Sequence, residues 1–171
     1  WRDKAFGFPG WHTECVAMAL KCLGAPIDIH TGAVDLAPVH HTNEIAQAQA
    51  MSDGEQALLN KSFVQTWMHG EFVIIKDTKM AKSAGNFVTL NNLAEQGYDP
   101  MSYRYLCLTT HYRSKLNFNF ESLSAAQTGL NNLRERFLNL GKAGGVVIDE
   151  FKKQFAEAVE DDLNMPQAMA L

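Results

Sequence analysis

From Trp11 to Leu23 the chain is almost continuously apolar or small, and the run stops at Gly24. That pattern predicts a helix buried on most sides and closed by a glycine cap. Asp28-Ile29-His30 reads as a short strand and Thr31-Gly32-Ala33 as a small-residue turn, after which His40 to Met51 has the composition of a second helix. Between Phe63 and Ile75 the apolar and aromatic residues Phe63, Val64, Trp67, Phe72, Val73, Ile74 and Ile75 predict two strands turning near His69-Gly70, followed by a polar loop from Lys76 to Asn86. Leu90 to Gln96 is a short helix ended by Gly97, and Pro100 opens another that runs to about Thr109.

Beyond this point the pattern changes. Leu123, Ala126, Leu130, Leu133, Phe137 and Leu140 recur at spacings of 3, 4, 3, 4 and 3, the stripe of a bundle helix. Phe151, Phe155 and Val159 continue it across the Gly-rich link Gly141 to Gly145, and Asn164-Met165-Pro166 looks like the start of a third helix. The expected architecture is therefore α/β over residues 1–115 and an α-helical bundle segment over 116–171.

Composition narrows the class. A length of 171 residues with 46% hydrophobic and 20% charged positions is that of an ordinary globular protein, and no apolar run of about 18 residues suggests a membrane span. The start Trp1-Arg2-Asp3-Lys4 is neither a signal peptide nor an initiating methionine, so the chain is expected to be part of something longer. Three cysteines, Cys15, Cys22 and Cys107, lack the spacing of a disulfide framework and point to a reducing, cytoplasmic setting. The formal net charge of -4 argues against a nucleic-acid grip over the whole surface. Arg104, His111, Arg113, Lys115, Arg134, Arg136 and Lys142 lean basic while Asp149 to Asp162 is mostly acidic, an asymmetry whose commoner meaning is solvated surface.

Candidate chemistry lies in three places. His40 and Glu44 are four apart on the second helix, share one face, and with Cys15 offer imidazole, carboxylate and thiolate, a donor set that suits zinc. His41 with Glu44, three apart, is the geometric alternative, and a helix-surface pair beside a small buried cysteine is the commoner meaning of such spacing taken alone. The KMAKS run from Lys79 to Ser83, with Ala84-Gly85-Asn86 behind it, sets two lysines three apart in a small-residue loop, where ammonium groups can neutralise charge on a pyrophosphate leaving group. Trp11 precedes Cys15 by four positions and can wall a pocket, and His30 ends a strand where open α/β sheets bind ligands.

Taken in order, GWHTEC at Gly10 to Cys15, DIHTGAVDL at Asp28 to Leu36, HHTNEIAQ at His40 to Gln47, KMAKS, and GNF at Gly85 to Phe87 resemble consecutive motifs of the cysteinyl-tRNA synthetases. HYRSKLNF at His111 to Phe118 and DDLNMPQA at Asp161 to Ala168 look like that family's passage from catalytic core into helical domains. The resemblance implies the second half of a class I Rossmann-type nucleotide-binding domain followed by the start of a tRNA-contacting helical bundle. It implies ATP-dependent activation of L-cysteine and transfer to tRNA(Cys), with zinc as cofactor, ATP with magnesium as substrate, a monomeric state, a cytoplasmic location and no membrane partner.

Residue by residue, the resemblance makes Cys15, His40 and Glu44 three of four zinc ligands, Trp11 and His30 the walls of the cysteine pocket, Lys79 and Lys82 catalytic, and Lys82, His30 and Asp35 contacts to ATP. Departures are Phe8 for the usual arginine before Pro9-Gly10-Trp11, Thr31-Gly32-Ala33 for a glycine triplet, Val39-His40-His41-Thr42-Asn43-Glu44 for the PHHENE-type stretch, and Ala81 for the signature serine. The family's first zinc cysteine and its His-Ile-Gly-His-type motif would precede Trp1, so this chain alone is expected not to complete adenylation. A cysteine and amino-sugar ligase of mycothiol synthesis and a noncatalytic zinc or RNA-binding relic are the rivals; the helical tail opposes the first and retention of the candidate ligands and lysines the second.

Overall fold

A computed structural model of the chain describes residues 10–51, 62–75, 87–141 and 144–171, together with the backbone of 78–79. These residues form two compact units, one through Gly70 and one from Glu71 onward, each with its own core.

In the first unit, helix α1 (Trp11–Cys22) leads into strand β1 (Ile27–Ala33), and helix α2 (Thr42–Met51) precedes strand β2 (Val64–Gly70). The strands pair in parallel with His30 opposite Trp67 and Gly32 opposite His69, as expected where a helical segment makes the crossover. Val16 of α1, Ile27, Ala48 of α2, Phe63 and Val64 form the core, with Ala19, Leu20 and Trp67 packed against it.

Two local expectations change here. The turn expected at Thr31 to Ala33 is strand, because the parallel ladder continues to the Ala33 and Gly70 pair and supplies partners for a backbone that would otherwise bend. The helix expected from His40 begins at Thr42, since residues 34–36 make a 3-10 turn and Ala37–His41 a π-helical turn. The Thr42 hydroxyl donates to the Ala37 carbonyl at 2.9 Å, tying the start of α2 back to the start of that turn.

In the second unit, strand β3 (Val73–Ile75) lies between β4 (Thr78–Lys79), antiparallel to it, and β5 (Leu116–Asn117), parallel to it. The two strands read around His69-Gly70 therefore exist but do not pair: β2 and β3 belong to different sheets, and the apolar runs reported strand content without reporting partners. Strands β4 and β5, two residues each, carry too little pattern to be read from sequence.

Helices α3 (Leu90–Glu95), α4 (Pro100–Leu108), α5 (Phe120–Asn139), α6 (Asp149–Glu160) and α7 (Met165–Ala168) complete this unit. Their starts follow their side chains. Thr89 and Asn92 form a reciprocal capping box, Asp99 caps α4 ahead of Pro100, and Asn119 accepts from the Ser122 amide at 2.7 Å. Gly97, at φ 85°, supplies the left-handed residue that ends α3. Leu93, Leu106, Leu116, Phe118, Leu123 and Ala126 make the core.

Of the apolar stripe on α5, Leu123 and Ala126 are buried, whereas Leu133, Phe137 and Leu140 stand exposed, as do Phe151 and Phe155 of α6. Two of the basic residues are locally paired: Arg134 Nη1 lies 2.6 Å from Asp99 Oδ2, and Arg113 Nε 2.5 Å from Asp162 Oδ2. No helix among the described residues is long and apolar enough to cross a membrane.

Candidate metal and substrate site

The first unit gathers a cluster of imidazole, indole, thiol and carboxylate groups around one side chain. Glu44, in the first turn of α2, is 0% exposed. Its Oε1 lies 2.8 Å from His40 Nε2 and its Oε2 3.2 Å from His30 Nε2. Neither oxygen has a partner in hydrogen-bond geometry, and neither has His40 Nδ1, although all three atoms are sealed from solvent. Burying an ionised carboxylate without donors is costly, and the usual resolution is a cation.

Cys15 reaches the same point from α1. Ligand atoms of Cys15, His40 and Glu44 all lie within 4.8 Å of one another, and so do those of His30, His41 and Glu44. Burial first, and then the Glu44 carboxylate, push the Cys15 thiol up from its ordinary value of 9.0, so a nearby positive charge is what would favour its thiolate. The three residues fit zinc in donor chemistry, closeness and burial. Both pairings left open by spacing are present in space, His40 grouping with Cys15 and His41 with His30.

Aromatic rings enclose the cluster. Trp11, 60% exposed, sets its ring centroid 4.1 Å from that of His40, one turn of α1 before Cys15. Alternation along the parallel strands puts His30, Gly32, Trp67 and His69 on one face, and His41 sits over it. The His41 ring is 5.0 Å from His30, 4.7 Å from Trp67 and 4.9 Å from His69 by centroids, and its Nδ1 is 2.8 Å from His69 Nε2. Burial, then the imidazoles of His30, His69 and His40, draw the His41 pKa down to about 4, which leaves the ring neutral near pH 7. Gly32 is what lets His41 approach: a Cβ there would lie 2.5 Å from His41 Cε1.

The structure thus brings together Trp11, Cys15, His30, His40 and Glu44 of the residues selected from sequence. Asp35 lies on the 3-10 turn that follows β1. Lys79 is on β4 in the second unit, and Lys82 lies outside the described residues, as do Phe8, Ala81, Gly85-Asn86 and Lys142. Sequence reasoning missed Trp67 and His69 as part of the cluster. Their spacing of two on a strand beside His30 was the available signal, but it becomes informative only with the β1 and β2 register.

The family model for tRNA synthetases class I (C) catalytic domain matches residues 3–128, and the chain belongs to that family. Within it, the resemblance to cysteinyl-tRNA synthetase read from the motifs is borne out for part of the catalytic core. The chain is 50% identical to cysteine-tRNA ligase 1 of Burkholderia lata over 166 residues, covering 96% of this chain and 34% of that protein. It is 43% identical to the cysteine-tRNA ligase of Leptospira interrogans over 177 residues, 96% of this chain and 36% of the relative. For that of Protochlamydia amoebophila the figures are 43% over 172 residues, 96% and 34%. The chain spans about a third of the length of these relatives. Among solved structures, a LeuRS chain of Agrobacterium radiobacter K84, in a ternary complex with tRNA and LeuAMS, matches with a TM-score of 0.66 and 16% identity, covering 86% of this chain and 22% of that one. That likeness is one of fold.

Proposed function

We propose that this chain is the segment of a cysteine-tRNA ligase that sorts the amino acid, within an enzyme that activates L-cysteine with ATP and transfers it to tRNA(Cys). The observation that carries the reading is Glu44: a fully buried carboxylate whose oxygens make no hydrogen bond of good geometry, faced by His40 and grouped with Cys15. Cys15, His40 and Glu44 would hold zinc. When bound, zinc supplies a soft Lewis acid that prefers a thiolate to a serine hydroxyl, so discrimination arises in binding.

Around that point the chain's own residues divide the work. Trp11 is an aromatic plate against His40 that screens the substrate side chain from water, and His30 is the pocket wall on the β1 side. His30 in the middle of β1 and Asp35 just beyond its carboxyl end are assigned to ATP, Asp35 at the strand end where open α/β sheets bind ligands. In the activation step a cysteine carboxylate oxygen bonds to the α-phosphorus of ATP as the bond to pyrophosphate breaks. The ammonium groups of Lys79 and Lys82 offset the charge that develops on the leaving group. The acyl group then passes to a terminal ribose hydroxyl of the tRNA and AMP departs.

The accompanying organisation is a Rossmann-type catalytic portion over 1–115 and the start of a tRNA-contacting bundle over 116–171. The parent enzyme is monomeric and cytoplasmic.

Cobalt substitution tests this. The Co2+-loaded chain is expected to show a thiolate-to-cobalt charge-transfer band that is absent in Cys15→Ala, and that strengthens on adding L-cysteine but not L-serine. A missing band, or an equal response to serine, overturns the reading.

A further inference from the structure

The two oxygens of the Glu44 carboxylate have different histidine neighbours. Oε1 is 2.8 Å from His40 Nε2, whereas Oε2 is 3.2 Å from His30 Nε2, and the His30 ring lies 5.0 Å from that of His41. His30, His41 and Glu44 converge within 4.8 Å without any contribution from Cys15 or His40. Like Oε1, Oε2 is buried and makes no hydrogen bond of good geometry.

We propose that His30, His41 and Glu44 form a second divalent-metal site, free of thiolate, with Glu44 as the carboxylate shared between it and the Cys15 site. Two imidazoles and one carboxylate are a borderline donor set that takes Zn2+, Co2+ or Ni2+ and has no preference for soft ions. The surroundings are those of a built site. His69 Nε2 meets His41 Nδ1 at 2.8 Å and holds the orientation of that ring, as outer partners of ligating histidines commonly do. Trp67 packs on both His30 and His41, at 4.8 and 4.7 Å between centroids, and limits how far either ring can swing. His30, with 18% of its side chain exposed, leaves one side open to water or an exchangeable ligand. Gly32 permits His41 to sit this deep, since any larger residue would meet its ring.

This inference shares Glu44 and His30 with the proposed function and differs from it in excluding Cys15 and His40. The test therefore removes both. Cobalt uptake by the 171-residue chain carrying Cys15→Ala and His40→Gln is measured by equilibrium dialysis and elemental analysis, with folding checked by the tryptophan-emission melt. Expected is retention of about one equivalent with no thiolate band, lost when His30→Gln or His41→Gln is added. A folded double variant that takes up no cobalt, or one whose uptake is indifferent to both further changes, overturns the second site while leaving the thiolate band of the parent, and the function it supports, untouched. Should Cys15→Ala with His40→Gln not fold, Cys15→Ser with His40→Asn is measured against the same two outcomes.

Discussion

Replacing Gly32 by alanine puts one methyl group where the site has no room for it. The new Cβ would lie 2.5 Å from His41 Cε1, 2.8 Å from His41 Nε2 and 3.0 Å from Leu36 Cδ1. Carbon atoms pack at about 3.5–4.0 Å, so the imidazole must retreat by roughly 1 Å. It has nowhere easy to go: His41 is buried, held by His69 at 2.8 Å and walled by the rings of His30 and Trp67. Overpacking of this kind costs about 1–3 kcal/mol. Against it, alanine restricts the unfolded chain more than glycine does and returns about 0.4–1 kcal/mol, leaving a net loss of about 1–2 kcal/mol.

For a unit of this size each kcal/mol moves the melting temperature by about 4–8 °C, which predicts a fall of roughly 5–15 °C. The assay is built into the sequence. Trp11 and Trp67 lie in the first unit and the third tryptophan, Trp1, precedes them in sequence, so none belongs to the second unit and tryptophan emission on heating reports on the first. Gly145→Ala, where the added methyl meets open space, is the control and should leave the emission curve in place. A double-mutant cycle supplies the sharper criterion: in a His41→Ala background Gly32→Ala should cost nothing or stabilise. An unchanged melt for the single variant, or an undiminished penalty in the His41→Ala background, refutes the steric argument.

Two further predictions concern the second unit. Leu123, 0% exposed at the centre of its core, should cost about 2–5 kcal/mol as Leu123→Ala, seen as early loss of helical circular dichroism while tryptophan emission keeps its parent midpoint. Tyr103 packs against Phe118, and burial, followed by the neighbouring Cys107, pushes its phenol up from 10.0 to about 12. The folded state thus keeps a proton that the unfolded chain gives up above pH 10, so this contribution to stability is intact below pH 10 and is lost between there and about 12. Tyr103→Phe should flatten the decline in stability over that alkaline range in denaturant titrations; an identical decline would show that the phenol is not the cause.

What could be read from the sequence divides along physical lines. Spacing within one helix was informative because i and i+4 share a face by geometry alone, and this is how His40 with Glu44 and Trp11 with Cys15 could be paired before any fold was known. Glycine and proline punctuation likewise located α1, α3 and α4 to within a residue or two, since φ at Gly97 and the ring of Pro100 are local matters. Contacts between elements were not legible in this way. Trp67 and His69 looked like ordinary strand residues, and only the register of β2 on β1 brings them against His30 and Gly32. Strands β2 and β3 read as neighbours in sequence and turned out to sit in separate sheets, because an apolar run states that a strand is buried without stating what covers it.

The same distinction explains the departure at Thr31-Gly32-Ala33. Judged as a motif, two of three glycines have been lost, and the position looks relaxed. Judged in the structure, the three sites face different demands. Thr31 is exposed and Ala33 is a ladder residue opposite Gly70, and neither is a place where a side chain has been shown to collide. Gly32 alone stands under the imidazole of His41, and there the absence of a Cβ is a packing requirement. The retained glycine marks the residue it serves, and that residue is the one through which His69 and Trp67 join the candidate site.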